Sequence, residues 1–273
     1  MHALVIAGGL LYFLSSAGYL AYLFLQRERL QHWAWYCFLG GFLFHLAVVL
    51  GKGMAAGQVP ARNLHETLLM AGLALSMAYL IFYFRFRLRV LGAVVVPMLT
   101  LILAAASLVS SAAVDGATIF NSFWLVLHIV AIFSGEAAFA LACGVGILYL
   151  LQENTIKNKR RGFFFSRLPS LDMLDQAGYV CLITGFTLMT IGLAMGFVYA
   201  KAVWGRFWAW DPKEVWSGNT WLLYAALLHE RLMVGWRGRR SAIMAIVGFG
   251  VILFTFLGVN FFFEGHHEPF TRG

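Results

Sequence analysis

The chain has 273 residues, of which 61% are hydrophobic and only 12% charged, with a mean hydropathy of +0.79. A soluble domain of this length carries about a quarter charged residues, so a soluble enzyme is excluded. The net charge of +8 is read as basic residues holding loops in the cytoplasm, not as a nucleic-acid surface.

The charges cluster, and the apolar gaps between clusters suit helices that cross a bilayer, which takes about 20 residues. The gaps are continuous and lack the short alternation of barrel strands. The expected fold is therefore an all-α integral membrane protein with about eight transmembrane helices, at roughly 3–25, 34–51, 64–84, 90–110, 123–151, 176–200, 212–234 and 241–263.

The first span opens on "MHALVIAGG" without a basic leader region and is expected to be retained. The second holds His45 in "FLFHLAVV", where packing or a hydrogen bond to another helix explains an imidazole as well as a ligand role does. The third follows "ARNLHETLL", in which Asn63 caps the helix beside His65 and Glu66. The fifth is long enough to tilt or to project beyond the bilayer. It carries His128 near its start and Glu136 further in. A carboxylate is costly in lipid, so Glu136 must face the protein interior, although the sequence names no partner for it.

No soluble domain fits between the spans, and no inverted repeat of the transporter kind is visible. The whole chain, 1–273, is expected to form a single membrane domain. Cys37, Cys143 and Cys181 lie far apart in apolar runs, so no redox pair or zinc knuckle is indicated.

Basic residues set the orientation. Arg27 and Arg29, then Arg85, Arg87 and Arg89, then Lys157, Lys159, Arg160, Arg161 and Arg167, and finally Arg231, Arg237, Arg239 and Arg240 follow spans 1, 3, 5 and 7. These are fourteen of the twenty Lys and Arg. The other side holds Lys52, Arg62, Lys201, Arg206, Lys213 and Arg272. The positive-inside rule then places both termini outside.

On that outer side lies "WGRFWAWDPKEVWSG", residues 204–218. Its right-hand end is a helix start: Asp211 as cap, Pro212 in the first turn and Glu214 three residues past the cap. Trp204, Trp208, Trp210, Trp216 and Trp221 are five of the chain's nine tryptophans. An aromatic belt would spread its tryptophans over both interfaces, and these are confined to one. A platform for a large, planar, apolar ligand is the better reading, with Arg206 or Lys213 available for its carboxylates.

This stretch resembles the tryptophan-rich WWD signature of haem-handling proteins in cytochrome c assembly. The resemblance continues through "TWLLYAALLHER", "FTFLGVNFFFEGHH" and "ARNLHETLL", and the longer match is to the CcsA/ResC family of system II. It covers most of the chain, with an assembly core over 63–267 and the WWD loop at 201–219.

The resemblance implies that haem b crosses to the outer face and sits on the WWD surface between two external histidines. A CcsB/ResB-like membrane protein completes the synthase, and the haem vinyls are joined to the CxxCH thiols of an apocytochrome c kept reduced by a thiol-reducing pathway. The chain has no CxxCH of its own. A bacterial inner membrane is the default location, and a thylakoid membrane the other candidate.

By the same resemblance, His128 in "FWLVLHIV" matches the first external iron ligand and His267 in "EGHHEPF" the second, with neighbouring His266 leaving the register open by one. His65 stands where the family more often has Tyr. His229 lies 18 residues past Asp211, about 27 Å along a helix. That is too far to reach iron at the outer platform, so it matches a separate inner haem site, whose usual second ligand belongs to the partner protein. The plain alternative for His229 is snorkelling beside Glu230 and Arg231. No catalytic nucleophile is required of the chain, because the substrate brings its own thiols. The competing functions are a haem carrier serving a separate chaperone, as system I relatives do, a b-type cytochrome and, last, a solute transporter.

Overall fold

A computed structural model describes residues 2–109, 122–158 and 167–258. Among these residues the chain is all-helical: α1 (His2–Leu25), α2 (Glu28–Ala56), α3 (Leu64–Phe86), α4 (Gly92–Leu108), α5 (Phe123–Lys157), α6 (Leu171–Trp204), α7 (Pro212–His229) and α8 (Arg239–Leu253). A single 3-10 turn, Arg89–Leu91, precedes α4, and π-helical turns extend α7 through Glu230–Val234 and α8 through Phe254–Gly258.

Seven of the helices are long and apolar enough to cross a membrane, and the protein is a multi-pass membrane protein. The expected span 212–234 forms a helix but is not one of the seven. Its first half, "PKEVWSGNT", is rich in polar side chains, so α7 enters the bundle on the strength of its neighbours. The expected spans 3–25, 34–51, 64–84, 123–151 and 176–200 fall inside longer helices, and the described parts of 90–110 and 241–263 are helical up to Leu108 and Gly258. α5 runs 35 residues and α6 runs 34, about 50 Å each at 1.5 Å per residue, so both extend past a hydrocarbon layer of about 30 Å.

α5 is the axis of the bundle. It packs along α6 over its largest interface and also meets α8, α3 and α4. Lipid supplies no hydrophobic drive between helices, so close contact depends on small residues. A Cβ at Gly135 would come within 3.0 Å of the Gly185 carbonyl oxygen, and one at Gly185 within 2.7 Å of the Phe139 ring. Those two glycines let the backbones of α5 and α6 touch. Beyond the crossing, Phe139 stacks on Tyr224 of α7 at 3.6 Å between centroids.

On the other flank α1 and α2 are tied by the Ser15 hydroxyl, which donates to the Ala34 carbonyl at 2.8 Å. Tyr12, Phe38, Tyr19 and Tyr79 fill the space between α1, α2 and α3, all fully buried.

The end of the bundle away from the tryptophans is laced with ion pairs. Arg231 is buried at the start of the π turn. It donates to both Asp175 carboxylate oxygens at 3.0 and 2.7 Å and to the Ser241 hydroxyl at 2.9 Å, while the Gly238 amide donates to the same carboxylate at 2.8 Å. Arg239 and Lys157 share Glu153 at 2.8 Å each. A buried guanidinium left without its carboxylate is strongly destabilising. Asp175→Ala is expected to cost about 3–5 kcal/mol, which a thermal melt in detergent checks as a large fall in Tm; Arg239→Ala, which removes an exposed guanidinium and leaves Glu153 paired with Lys157, should move it far less.

Candidate functional site

The tryptophan end is built from the start of α7. The Asp211 side chain accepts from the Lys213 amide at 2.9 Å, and Glu214 reaches back to accept from the amides of Asp211 at 3.3 Å and Ala209 at 2.8 Å. This is the capping box expected from "DPKE". Asp211 is buried in it, so its carboxylate is committed to the helix start. Just before the cap, Trp210 takes φ +59°, a left-handed conformation that costs a bulky residue energy. That bend turns its ring outward, and Trp210 is 78% exposed.

The five tryptophans do not form one flat surface. Trp204 and Trp208 line a partly enclosed cavity of about 230 Å³, together with Lys213. Trp210 meets Trp208 edge to face at 5.8 Å but stands outside, as does Arg206. Trp216 packs against Phe254 at 4.7 Å, and Trp221 stacks on Phe186 while donating to the Thr190 hydroxyl at 2.8 Å.

Four helices, the π turn after α8 and loop residues including Trp208 supply the cavity. α5 contributes Leu125, His128, Ile132 and Glu136, and α6 contributes Leu193, Gly196, Ala200 and Trp204. Both sets repeat every three or four residues, the spacing of one helix face. The starts of α3 and α7 and the π turn after α8 close the remaining sides.

His128 is held by α6. Its Nδ1 lies 2.7 Å from the Gly192 carbonyl oxygen. A carbonyl can only accept, so Nδ1 carries the proton and the ring's lone pair sits on Nε2. Metal-binding histidines are oriented in the same way. Gly196 leaves room for the ring, since a Cβ there would stand 2.8 Å from His128 Nδ1.

Glu136 lines the same cavity as a group of opposite charge that its sequence context did not name, with no ion pair within 4 Å between them. Lys213, from the first turn of α7, is the group of opposite charge acting on it, and both line the same space. Overhead, Trp208 contributes a buried indole N–H with no hydrogen-bond partner among the described residues. A buried orphan donor calls for an acceptor, and here a ligand in the cavity would supply it.

The remaining histidines separate clearly. His45 is buried, with Nε2 2.9 Å from the Leu69 carbonyl oxygen, and His65 is buried, with Nδ1 2.7 Å from the Ala106 carbonyl oxygen. Both are interhelical ties. Asn63 caps α3 through the Glu66 amide at 2.9 Å, while Glu66 pairs with Arg62 at 2.7 Å. The hydrogen bond to that carboxylate raises the Arg62 guanidinium above its ordinary pKa. His229 ends α7, exposed, far from the cavity and next to the π turn. His266 and His267 lie outside the described residues.

Sequence reasoning did not link His128 to Glu136, nor Glu136 to Lys213. The separation of eight residues between His128 and Glu136 on one helix was the available signal, and only the fold shows that α7 lays its lysine across that face.

The cytochrome C assembly protein family model matches residues 61–267. The cytochrome c biogenesis protein CcsA of Porphyra purpurea is 32% identical over 263 residues, which cover 82% of this chain and 82% of that protein. The CcsA of Synechococcus sp. (strain JA-3-3Ab) is 29% identical over 285 residues, covering 84% and 83%. Among solved structures, a cytochrome c heme lyase CcmF superposes with a TM-score of 0.69 at 17% identity, covering 98% of this chain and 47% of that one. The chain thus shares the fold of about half of that larger protein.

Removing the cap should loosen the whole tryptophan loop. Asp211→Ala is expected to lower stability by about 1 kcal/mol, measurable as a modest fall in Tm, whereas Asp211→Asn, which keeps a capping oxygen, should avoid most of that loss.

Proposed function

Because the chain belongs to the cytochrome c assembly protein family and is a homologue of the CcsA cytochrome c biogenesis proteins, we propose that its cavity holds haem b at the outer face of the membrane for attachment to apocytochrome c. The observation that carries the reading is His128: the Nδ1–H bonded to a backbone carbonyl on the wall of a tryptophan-lined cavity. That is the tautomer an axial iron ligand requires. The orphan Trp208 N–H and the Lys213 ammonium supply the two kinds of donor that an acidic porphyrin accepts.

The residues then divide the work. His128 binds iron from the α5 side, and His267, in the segment after α8, is the second axial ligand, with His266 as the adjacent alternative. Trp204 and Trp208 give apolar contact to the porphyrin, Trp210 and Trp216 extend that surface at its rim, and Arg206 meets a carboxylate at the exposed edge. Asp211 serves by holding Lys213 and the loop in place.

The reaction needs orientation more than reactive groups. In thioether formation the cysteine sulfur bonds one vinyl carbon and the thiol's hydrogen equivalent ends on the other, with no net change of oxidation state. The protein's contribution is to fix the vinyl edge against the CxxCH thiols and to exclude water. One axial histidine yields when the apocytochrome's own histidine binds.

The chain is the membrane subunit of a holocytochrome c synthase in this reading, active with a CcsB/ResB-like partner and supplied with thiols by a reducing pathway. His229, exposed at the opposite end of α7 from the cavity, provides half of an inner haem site, which the partner completes. Both termini and the tryptophan loop face outward, an orientation that the distribution of basic residues supports. The membrane is a bacterial inner membrane, or a thylakoid membrane as the plastid and cyanobacterial homologues suggest.

Haem absorption of the purified protein tests the site. His128→Ala and His267→Ala should each lose most of the low-spin haem, and added imidazole should restore the spectrum. If both variants keep a wild-type spectrum, the haem is held elsewhere.

A further inference from the structure

A carboxylate within a membrane-spanning helix has to be matched by a positive group or removed from lipid. Glu136 is matched in an unusual place. The opposite charge that acts on it is Lys213, which follows Pro212 on α7 and lines the same cavity without direct contact, not a neighbour on its own helix. The cavity between them is otherwise walled largely by apolar and aromatic side chains. The remaining acidic groups nearby are already occupied, Glu214 by the amides of Ala209 and Asp211, and Asp211 by the Lys213 amide.

A lysine alone in such surroundings swings its ammonium out to water or gives up its proton. With Glu136 opposite, it stays charged and points inward. An ammonium has three N–H donors, so Lys213 can offer them to a carboxylate brought by a ligand while Glu136 shares the cavity as its counter-charge.

The placement also fixes which edge of that ligand goes in. Glu136 lies eight residues beyond His128 on α5, about 12 Å along the helix. With iron on His128, a propionate directed along the cavity wall would meet the Lys213 ammonium. The vinyl groups, on other edges of the ring, would then lie away from Lys213, where an approaching polypeptide can meet them.

We infer that Glu136 is a positioning residue: it holds the Lys213 ammonium inside the cavity so that haem enters propionate first and presents its vinyl edge outward. This rests on the haem-binding reading above, and the experiment separates the two.

Binding of haem and of haem dimethyl ester, which lacks the acidic groups, is measured by optical titration of wild type, Lys213→Met, Glu136→Gln, Glu136→Asp and the double variant that combines Lys213→Met with Glu136→Gln. A charge-assisted hydrogen bond corresponds to about tenfold in affinity. Wild type should therefore prefer haem over its ester by about tenfold.

Lys213→Met and Glu136→Gln should each abolish that preference, the double variant should be no worse than either single one, and Glu136→Asp should recover part of it. A merely structural glutamate would affect both ligands alike and would leave the preference intact. A preference that survives in Lys213→Met or Glu136→Gln, or losses that add in the double variant, overturns the inference. So does equal binding of haem and ester by wild type. Absence of any haem binding by wild type overturns the haem-site reading itself. If Glu136→Gln does not fold, Lys213→Met and Glu136→Asp decide the matter, because the inference requires the first to lose the preference and the second to keep part of it.

Discussion

Charge placed among apolar side chains has to be answered, and the helices of this protein are arranged around those answers. At the end rich in basic residues, Asp175 answers Arg231 with two direct contacts and fastens α6 to the segment that follows α7. At the opposite end Arg62 answers Glu66 within one turn of α3. Between them Glu136 is answered by Lys213 across a cavity. The first two close the structure, because each charge meets its counterpart directly and one member of each pair is buried. The third leaves a space open, and that space coincides with the tryptophans and with His128.

Much of this was legible in the residues. "DPKE" announced the start of α7 because capping is local chemistry, decided within four residues. Asn63 before α3 was legible for the same reason. The spans were visible because twenty apolar residues in a row have few other uses. His128 could be singled out by its match to a family ligand position, but the carbonyl that selects its tautomer belongs to a residue 64 positions later. Nothing in its neighbourhood could reveal that.

The tryptophans show the same boundary from the other side. Their density marked the loop, yet the five rings divide: two line the cavity, one projects, and two pack against α6 and the end of α8. Residues adjacent in sequence are sent to different jobs by the turn between helices, and Trp210 takes a left-handed conformation to make that turn. His45 and His65 were ambiguous from sequence because a buried imidazole bonded to a neighbouring helix and one bonded to a metal have the same local signature. The carbonyls of Leu69 and Ala106 decide both in favour of packing.

The modest hydrophobicity of α7 bears on how the protein is made. A segment that begins "PKEVWSGNT" partitions poorly into lipid by itself, whereas α6 before it and α8 after it are strongly apolar. α7 is therefore expected to settle in the membrane through its contacts with α6 and α8 rather than by its own partitioning. The helix that carries the cavity's lysine thus depends on its neighbours for its place, so the cavity's positive group is only as well fixed as the packing of α6 and α8 around it.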